Sequence, residues 1–138
     1  LHSFPTRRSS DLHIDLDEWN SKRRALMATY RELIDPDRAK LVEQLEDGEG
    51  VHHLAVVQVD QRDRVRELLA ERGIGTGIHY PVPCHVMGPY AQYADGPLPV
   101  AEAAAARQLS LPMFPHLSQD DARRVAEGLN AVLAELDR

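Results

Sequence analysis

Only one cysteine, Cys84, occurs in the 138 residues. That excludes an intrachain disulfide framework and fits a reducing compartment. No apolar stretch approaches the roughly 18 residues that a membrane span needs, so a soluble chain with no membrane partner is expected. Basic residues are outnumbered, 16 Lys plus Arg against 22 Asp plus Glu for a net charge of −6. Neither sign gathers into a long block, which argues against a nucleic-acid partner. No internal repeat is visible. What is present is ordinary for a globular protein: 43% apolar and 28% charged residues, a balance that a disordered or collagen-like chain does not have. The length is that of one domain, and such a domain buries roughly two-thirds of its unfolded surface.

The first twelve residues differ from the rest. LHSFPTRRSSDL, Leu1 to Leu12, holds Pro5, two arginines and two serines but no apolar period that a helix or strand could use. A targeting peptide does not fit, because there is no apolar h-region and no initiator Met. HSFPTRRSSDL resembles, residue for residue, a frame translation of a short-read sequencing adapter. Residues 1–12 are therefore expected to be a non-native leader, with native sequence starting near His13 and an upstream coding part missing.

Beyond His13 the pattern is α+β, a small sheet packed by helices. Leu16, Trp19, Arg23, Leu26, Tyr30 and Leu33 recur at spacings of three and four, the signature of a helix that Pro36 ends. Asp35 to Gly50 reads as a weak helix followed by an exposed loop. Val51 to Val59 is β-branched and bounded by turn formers, a buried strand. Val65, Leu68 and Leu69 mark a short helix with Gly73 suited to its C′ position. Ile74, Thr76 and Ile78 alternate with Gly75, Gly77 and His79, which predicts a second strand over Ile74 to Tyr80. A Pro-rich loop from Pro81 to Pro99 leads to a helix suggested by Val100, Ala103, Ala104 and Leu109, then a short strand over Leu109 to Met113. The last helix is the clearest. Ser118 and Asp121 form a capping-box-like start, and Ala122, Val125, Ala126, Leu129, Val132, Leu133 and Leu136 keep the helical period.

Chemistry-bearing residues concentrate in one place. The glycines of RGIGTGIHYP precede a strand, whereas a dinucleotide fingerprint follows one and opens a helix, so that reading fails on order. Alternate glycines on a strand instead point to a close approach by backbone or ligand. His79, Cys84 and His85, with His52 or His53, would be the donors of a metal site, but H-x4-C-H lacks the paired spacing of structural zinc sites and none is expected. Cys84 activated by His85 is disfavoured because neighbouring side chains diverge; a small apolar filler is the simpler role. His52 and His53 are expected to alternate across a strand, one facing the core. In HYPVPCHVMGPYAQY, by contrast, His79, Tyr80, His85, Tyr90 and Tyr93 crowd a stiff loop that leaves a strand; sites are built on such loops, and surface packing explains such a cluster about as often.

ERGIGTGIHYPVPCHVMGPY, Glu71 to Tyr90, together with LSLPMFPHLS, Leu109 to Ser118, resembles the C-terminal small domain of the DegT/StrS family of PLP-dependent sugar aminotransferases. LDEWNSKRR, Leu16 to Arg24, resembles the helix by which that family enters the small domain, and VHHLAVVQV its first strand. Ala55 stands where the family usually has an aromatic residue and Cys84 where it usually has an aliphatic one, while Asp35 to Gly50 matches poorly.

The resemblance implies that residues 13–138 are the small domain of a fold type I aminotransferase whose large, PLP-holding domain is missing. The parent would be a cytoplasmic homodimer moving an amino group from glutamate to a keto-sugar nucleotide, in amino-sugar, cell-surface polysaccharide or secondary-metabolite biosynthesis. It further implies that the HYPVP segment borders the substrate pocket near a subunit interface, making His79, Tyr80 and His85 candidate contacts to sugar or phosphate. Such chemistry needs a lysine for PLP and an acid at the pyridine nitrogen. The two lysines, Lys22 and Lys40, lack the family's cofactor context, so no catalytic or cofactor-binding residue is assigned, and the chain alone is expected to be inactive. Helix Leu16 to Leu33 is expected to leave an apolar face for the missing domain. A free-standing α+β binding or regulatory module is the alternative, and would start with a Met just ahead of Leu16.

Overall fold

The computed structural model describes residues 10–42 and 48–138, with side chains from residue 15 onward. Most of the leader and the middle of the expected weak helix lie outside them. Helix α1, Ser10–Leu33, is the longest element. Its stripe is buried at Leu26 and Tyr30, joined by Met27 and by Ile34 just past its end, whereas Leu16 stays 45% exposed. The helix begins three residues inside the segment expected to lack structure; among its described side chains, from residue 15 onward, the first buried one is Leu26.

After Pro36 the chain forms a two-residue strand β1, Lys40–Leu41, within the first part of the segment expected to be a weak helix. It pairs with β2, Ala55–Gln58, which pairs with β3, Gln108–Leu111, giving a three-stranded antiparallel sheet ordered β1-β2-β3. Register divides the sheet into two faces, because successive side chains alternate. Ala55 and Val57 stand opposite Leu111 and Leu109 and are fully buried, the sheet's share of the core. Val56 and Gln58 stand opposite Ser110 and Gln108 on the other face.

Helix α2, Arg62–Glu71, buries Val65, Leu68 and Leu69. Gly73 follows its C-cap with φ +74°, the left-handed conformation expected of a C′ glycine. Helix α3, Gly88–Ala91, is a single turn, and α4 spans Pro99–Arg107. On α4 the expected face is reversed: Val100 is 84% exposed, Ala103 is exposed, and Ala105 is the buried residue. Arg62 fixes the C-terminal end of α4 by donating from Nη1 to the carbonyls of Ala105 and Gln108, at 3.2 and 3.3 Å. Such terminal carbonyls have no partner within the helix.

Helix α5, Gln119–Leu136, is capped as expected, the Asp121 amide donating to Ser118 Oγ at 3.0 Å. It packs on α1 and α2. Asn130 joins α5 to the end of α1, its amide donating to Leu33 O at 2.7 Å while its carbonyl oxygen accepts from Asp35 N at 3.0 Å. Tyr30 donates to Pro112 O at 2.7 Å, and burial pushes its phenol above the usual range. Gly128 lets Ile74 approach α5, since a Cβ there would stand 2.5 Å from Ile74 Cδ1.

The strand expected over Ile74 to Tyr80 reduces to one bridge, Gly77 to Ser110. Both backbone bonds of that bridge form, at 3.0 and 2.7 Å. The chain then leaves the sheet, and the His79 ring lies back over Gly77. Nor does the strand begin at Val51: His52 has φ +47° and lies, with His53, in the loop before Ala55. The two do not alternate across a sheet.

Candidate functional site

The face of the sheet away from the core carries the sequence-nominated residues. Gln108 and Ser110 point to that face two residues apart on β3, and each holds one residue of the His79–Tyr80 pair. Ser110 Oγ lies 3.0 Å from His79 Nδ1, and Gln108 Nε2 donates to the carbonyl of Tyr80 at 2.6 Å. The two rings meet edge to face, with centroids 5.8 Å apart. This scaffold leaves both side chains available: His79 is exposed and Tyr80 is 74% exposed. The phenol, its backbone pinned by Gln108, projects into solvent.

His85 is held differently. It lies in a short 3-10 turn, Cys84–Val86, and its Nε2 is 2.9 Å from Glu102 Oε1 on α4. Only 10% of its side chain is exposed. The same Glu102 oxygen accepts from the Leu98 amide at 3.0 Å. The bond from His85, then that from Leu98, holds the Glu102 carboxyl below the usual carboxylate range. An ionised Glu102 can only accept, so Nε2 is the protonated ring nitrogen. Beside this pair lies a cleft of about 530 Å³ lined by Cys84, His85, Tyr90, Tyr93, Asp95 and Leu98. Cys84 is exposed on it rather than filling the core, because the 3-10 turn carries it outside the sheet.

The sequence-nominated residues thus form two stations, His79 with Tyr80 and His85 with Glu102, with no hydrogen bond or ring contact between the stations among the described residues. Three partners were missed: Ser110, Gln108 and Glu102. The one sequence signal for them is a polar residue at Ser110 inside the apolar run Leu109 to Met113. Among the described residues exposed apolar side chains gather here, with Tyr80, Tyr93 and Val100 at 74, 77 and 84%, while Leu16 is the exposed large apolar residue on α1.

The two lysines stand apart from these stations. Lys22 is ion-paired with Glu18 on α1, and Lys40 is exposed on the edge strand β1. Among the described residues no helix is long and apolar enough to cross a membrane.

Comparison with known proteins gives this arrangement a context. The chain is 40% identical over 126 residues to dTDP-3-amino-3,4,6-trideoxy-alpha-D-glucose transaminase of Streptomyces venezuelae, a match covering 89% of this chain and 33% of that protein. It is 38% identical over 117 residues to a pleiotropic regulatory protein of Geobacillus stearothermophilus, covering 81% and 32%. The crystal structure of S. venezuelae DesV in complex with a ketimine intermediate superposes with a TM-score of 0.79 at 40% identity, covering 85% of this chain and 32% of that one. The chain therefore spans about a third of the length of the curated relatives it matches. The profile of the DegT/DnrJ/EryC1/StrS aminotransferases matches residues 13–130. That match covers both stations, all three strands and most of α5, and the chain belongs to the DegT/DnrJ/EryC1/StrS aminotransferase family.

Proposed function

We propose that residues 13–138 are the C-terminal small domain of a PLP-dependent aminotransferase that moves an amino group from glutamate to a keto-sugar nucleotide, and that His79, Tyr80 and His85 contact that substrate. The observation that carries the reading is the family match over residues 13–130; a relative 40% identical is a dTDP-amino-sugar transaminase. The cofactor would be held by a large domain beyond these residues, because neither Lys22 nor Lys40 fits the role. This chain's part is positioning: a tyrosine hydroxyl and two imidazoles presented on a braced surface can orient hydroxyls and phosphate oxygens. Tyr80, Val86, Tyr90, Tyr93, Leu98 and Val100 are each more than half exposed, a gathering of uncovered apolar side chains of the kind that meets a partner surface. That favours a domain that meets the rest of an enzyme; a cytoplasmic homodimer is part of the same proposal. Residues 1–12 are a non-native leader in this reading.

A chimera tests it. Residues 13–138 would replace the matched third of the S. venezuelae transaminase, and the purified hybrid would be assayed with a keto-sugar nucleotide and glutamate. Amino transfer is expected. A folded, PLP-loaded hybrid that processes glutamate but aminates no keto-sugar nucleotide would contradict the reading.

A further inference from the structure

We propose that Glu102 is the positioning residue for His85, fixing the tautomer of the ring and closing the loop that carries the cleft. This rests on the proposed substrate role of His85. Glu102 sits in the first turn of α4 and engages Leu98 twice: its own amide donates to Leu98 O at 3.0 Å, and its Oε1 accepts from Leu98 N at 3.0 Å. The same Oε1 accepts from His85 Nε2 at 2.9 Å. One oxygen thus joins the start of the 85–98 excursion to its end.

Between those ends the chain is open. Every residue from Val86 to Leu98 is exposed, and the local backbone bonds run within single turns, such as Met87 N to Cys84 O at 3.1 Å and Tyr93 N to Tyr90 O at 2.9 Å. Segments with few buried contacts open at low free energy, so the ties at the ends set how often this one opens. The cleft residues Tyr90, Tyr93 and Asp95 lie on it, and their placement depends on those ties.

The tautomer follows from the acceptor. Glu102 takes the Nε2 proton as a hydrogen bond, so a neutral ring keeps its lone pair on Nδ1 and offers the cleft an acceptor suited to a sugar hydroxyl. A protonated ring would offer a donor suited to a phosphate oxygen. Removing the carboxylate frees the ring to exchange tautomers and rotate. Glu102 touches no substrate in this account and acts through His85.

The test uses the 138-residue chain first. Nitrogen-15 spectra of the histidine side chains at a pH where they are neutral would show the Nε2–H form for His85, and limited proteolysis would report opening of residues 86–97. Glu102→Ala is expected to give mixed tautomers and to speed cleavage in that segment by about tenfold or more, with the thermal midpoint of the domain nearly unchanged. Glu102→Asp, one methylene short, should move both readouts the same way should the alanine variant fail to fold. Glu102→Gln, whose amide oxygen still accepts both bonds, should restore protection. Wild-type tautomer and cleavage rate in both Glu102→Ala and Glu102→Asp would overturn the proposal. In the chimera, Glu102→Ala should raise KM for the keto-sugar as His85→Ala does, with no further loss in the double variant. If His85→Ala leaves KM unchanged while the ring still responds to Glu102, the positioning stands and the substrate reading falls. If His85→Ala raises KM and Glu102→Ala does not, the positioning falls.

Discussion

The ring of His79 lies directly over Gly77: a Cβ built on that glycine would stand 2.7 Å from His79 Cε1. The close approach that alternating glycines imply is made here by a side chain two residues onward, and at Gly77 alone, since nothing lies within 4 Å of a Cβ at Gly75.

Gly77→Ala should therefore push the His79 ring from Ser110 Oγ and weaken the bond seen at 3.0 Å, while Gly75→Ala should not. Loss of one such hydrogen bond costs about 0.5 to 1.5 kcal/mol, and repacking around the new methyl adds to that. Denaturant midpoints of the two variants, with the His79 ring signals as a local report, make the comparison. Equal midpoints and an unmoved ring would count against the contact.

The acid side of the stability curve should carry the mark of His52. Partial burial, then the charges of Arg31 and Arg24, hold its imidazole below the ordinary value of 6.5. The folded state then binds fewer protons than the unfolded one, so this contribution is complete above pH 6.5 and is lost as pH falls toward the lowered folded value. His52→Asn suits φ +47° and should flatten the dependence of the thermal midpoint in that window. A variant with the same slope as the parent would remove His52 from the explanation.

Much of the fold could be read because its signals are local. Helix α5 announces itself by a period of apolar residues and a cap whose partners, Ser118 and Asp121, lie three positions apart, and Gly73 follows α2 where a left-handed backbone is needed. Strand β1 could not be read, because two residues show no alternation and its partner, Gln58, lies eighteen positions from Lys40. The site was half legible. His79, Tyr80 and His85 stand out as polar aromatics in a stiff loop, but Ser110, Gln108 and Glu102 brace them across separations of 31, 28 and 17 residues. Alternation over Ile74 to Tyr80 misled because glycine at every second position imitates a strand pattern without side chains to sustain a ladder.

Deleting residues 1–12 should leave the thermal midpoint unchanged within error. The deletion trims the first turn of α1, and among the described side chains of that helix the first buried one is Leu26. A fall of several degrees, which for a domain of this size corresponds to about 1 kcal/mol or more, would restore the segment as native structure.

The chain alone is expected neither to hold PLP nor to transaminate. Lys22 is engaged with Glu18 and Lys40 stands exposed on an edge strand. The check is the absorbance of lysine-bound PLP, followed by borohydride trapping and peptide mapping. Stoichiometric label on Lys22 or Lys40 would contradict this expectation.

The most direct measurement is a comparison of the two half-reactions in the chimera for Tyr80→Phe and His85→Ala. Contacts to the sugar nucleotide predict a raised KM for the keto-sugar with kcat nearly unchanged, because the lost binding is shared by ground and transition states. Each lost bond is worth about 0.5 to 1.5 kcal/mol, or about 1.5 to 3 where a phosphate accepts it. Reaction with glutamate should hardly change, since a small dicarboxylate need not reach the nucleotide end of the pocket. Equal damage to both half-reactions, or none to either, would contradict the substrate role assigned to this loop.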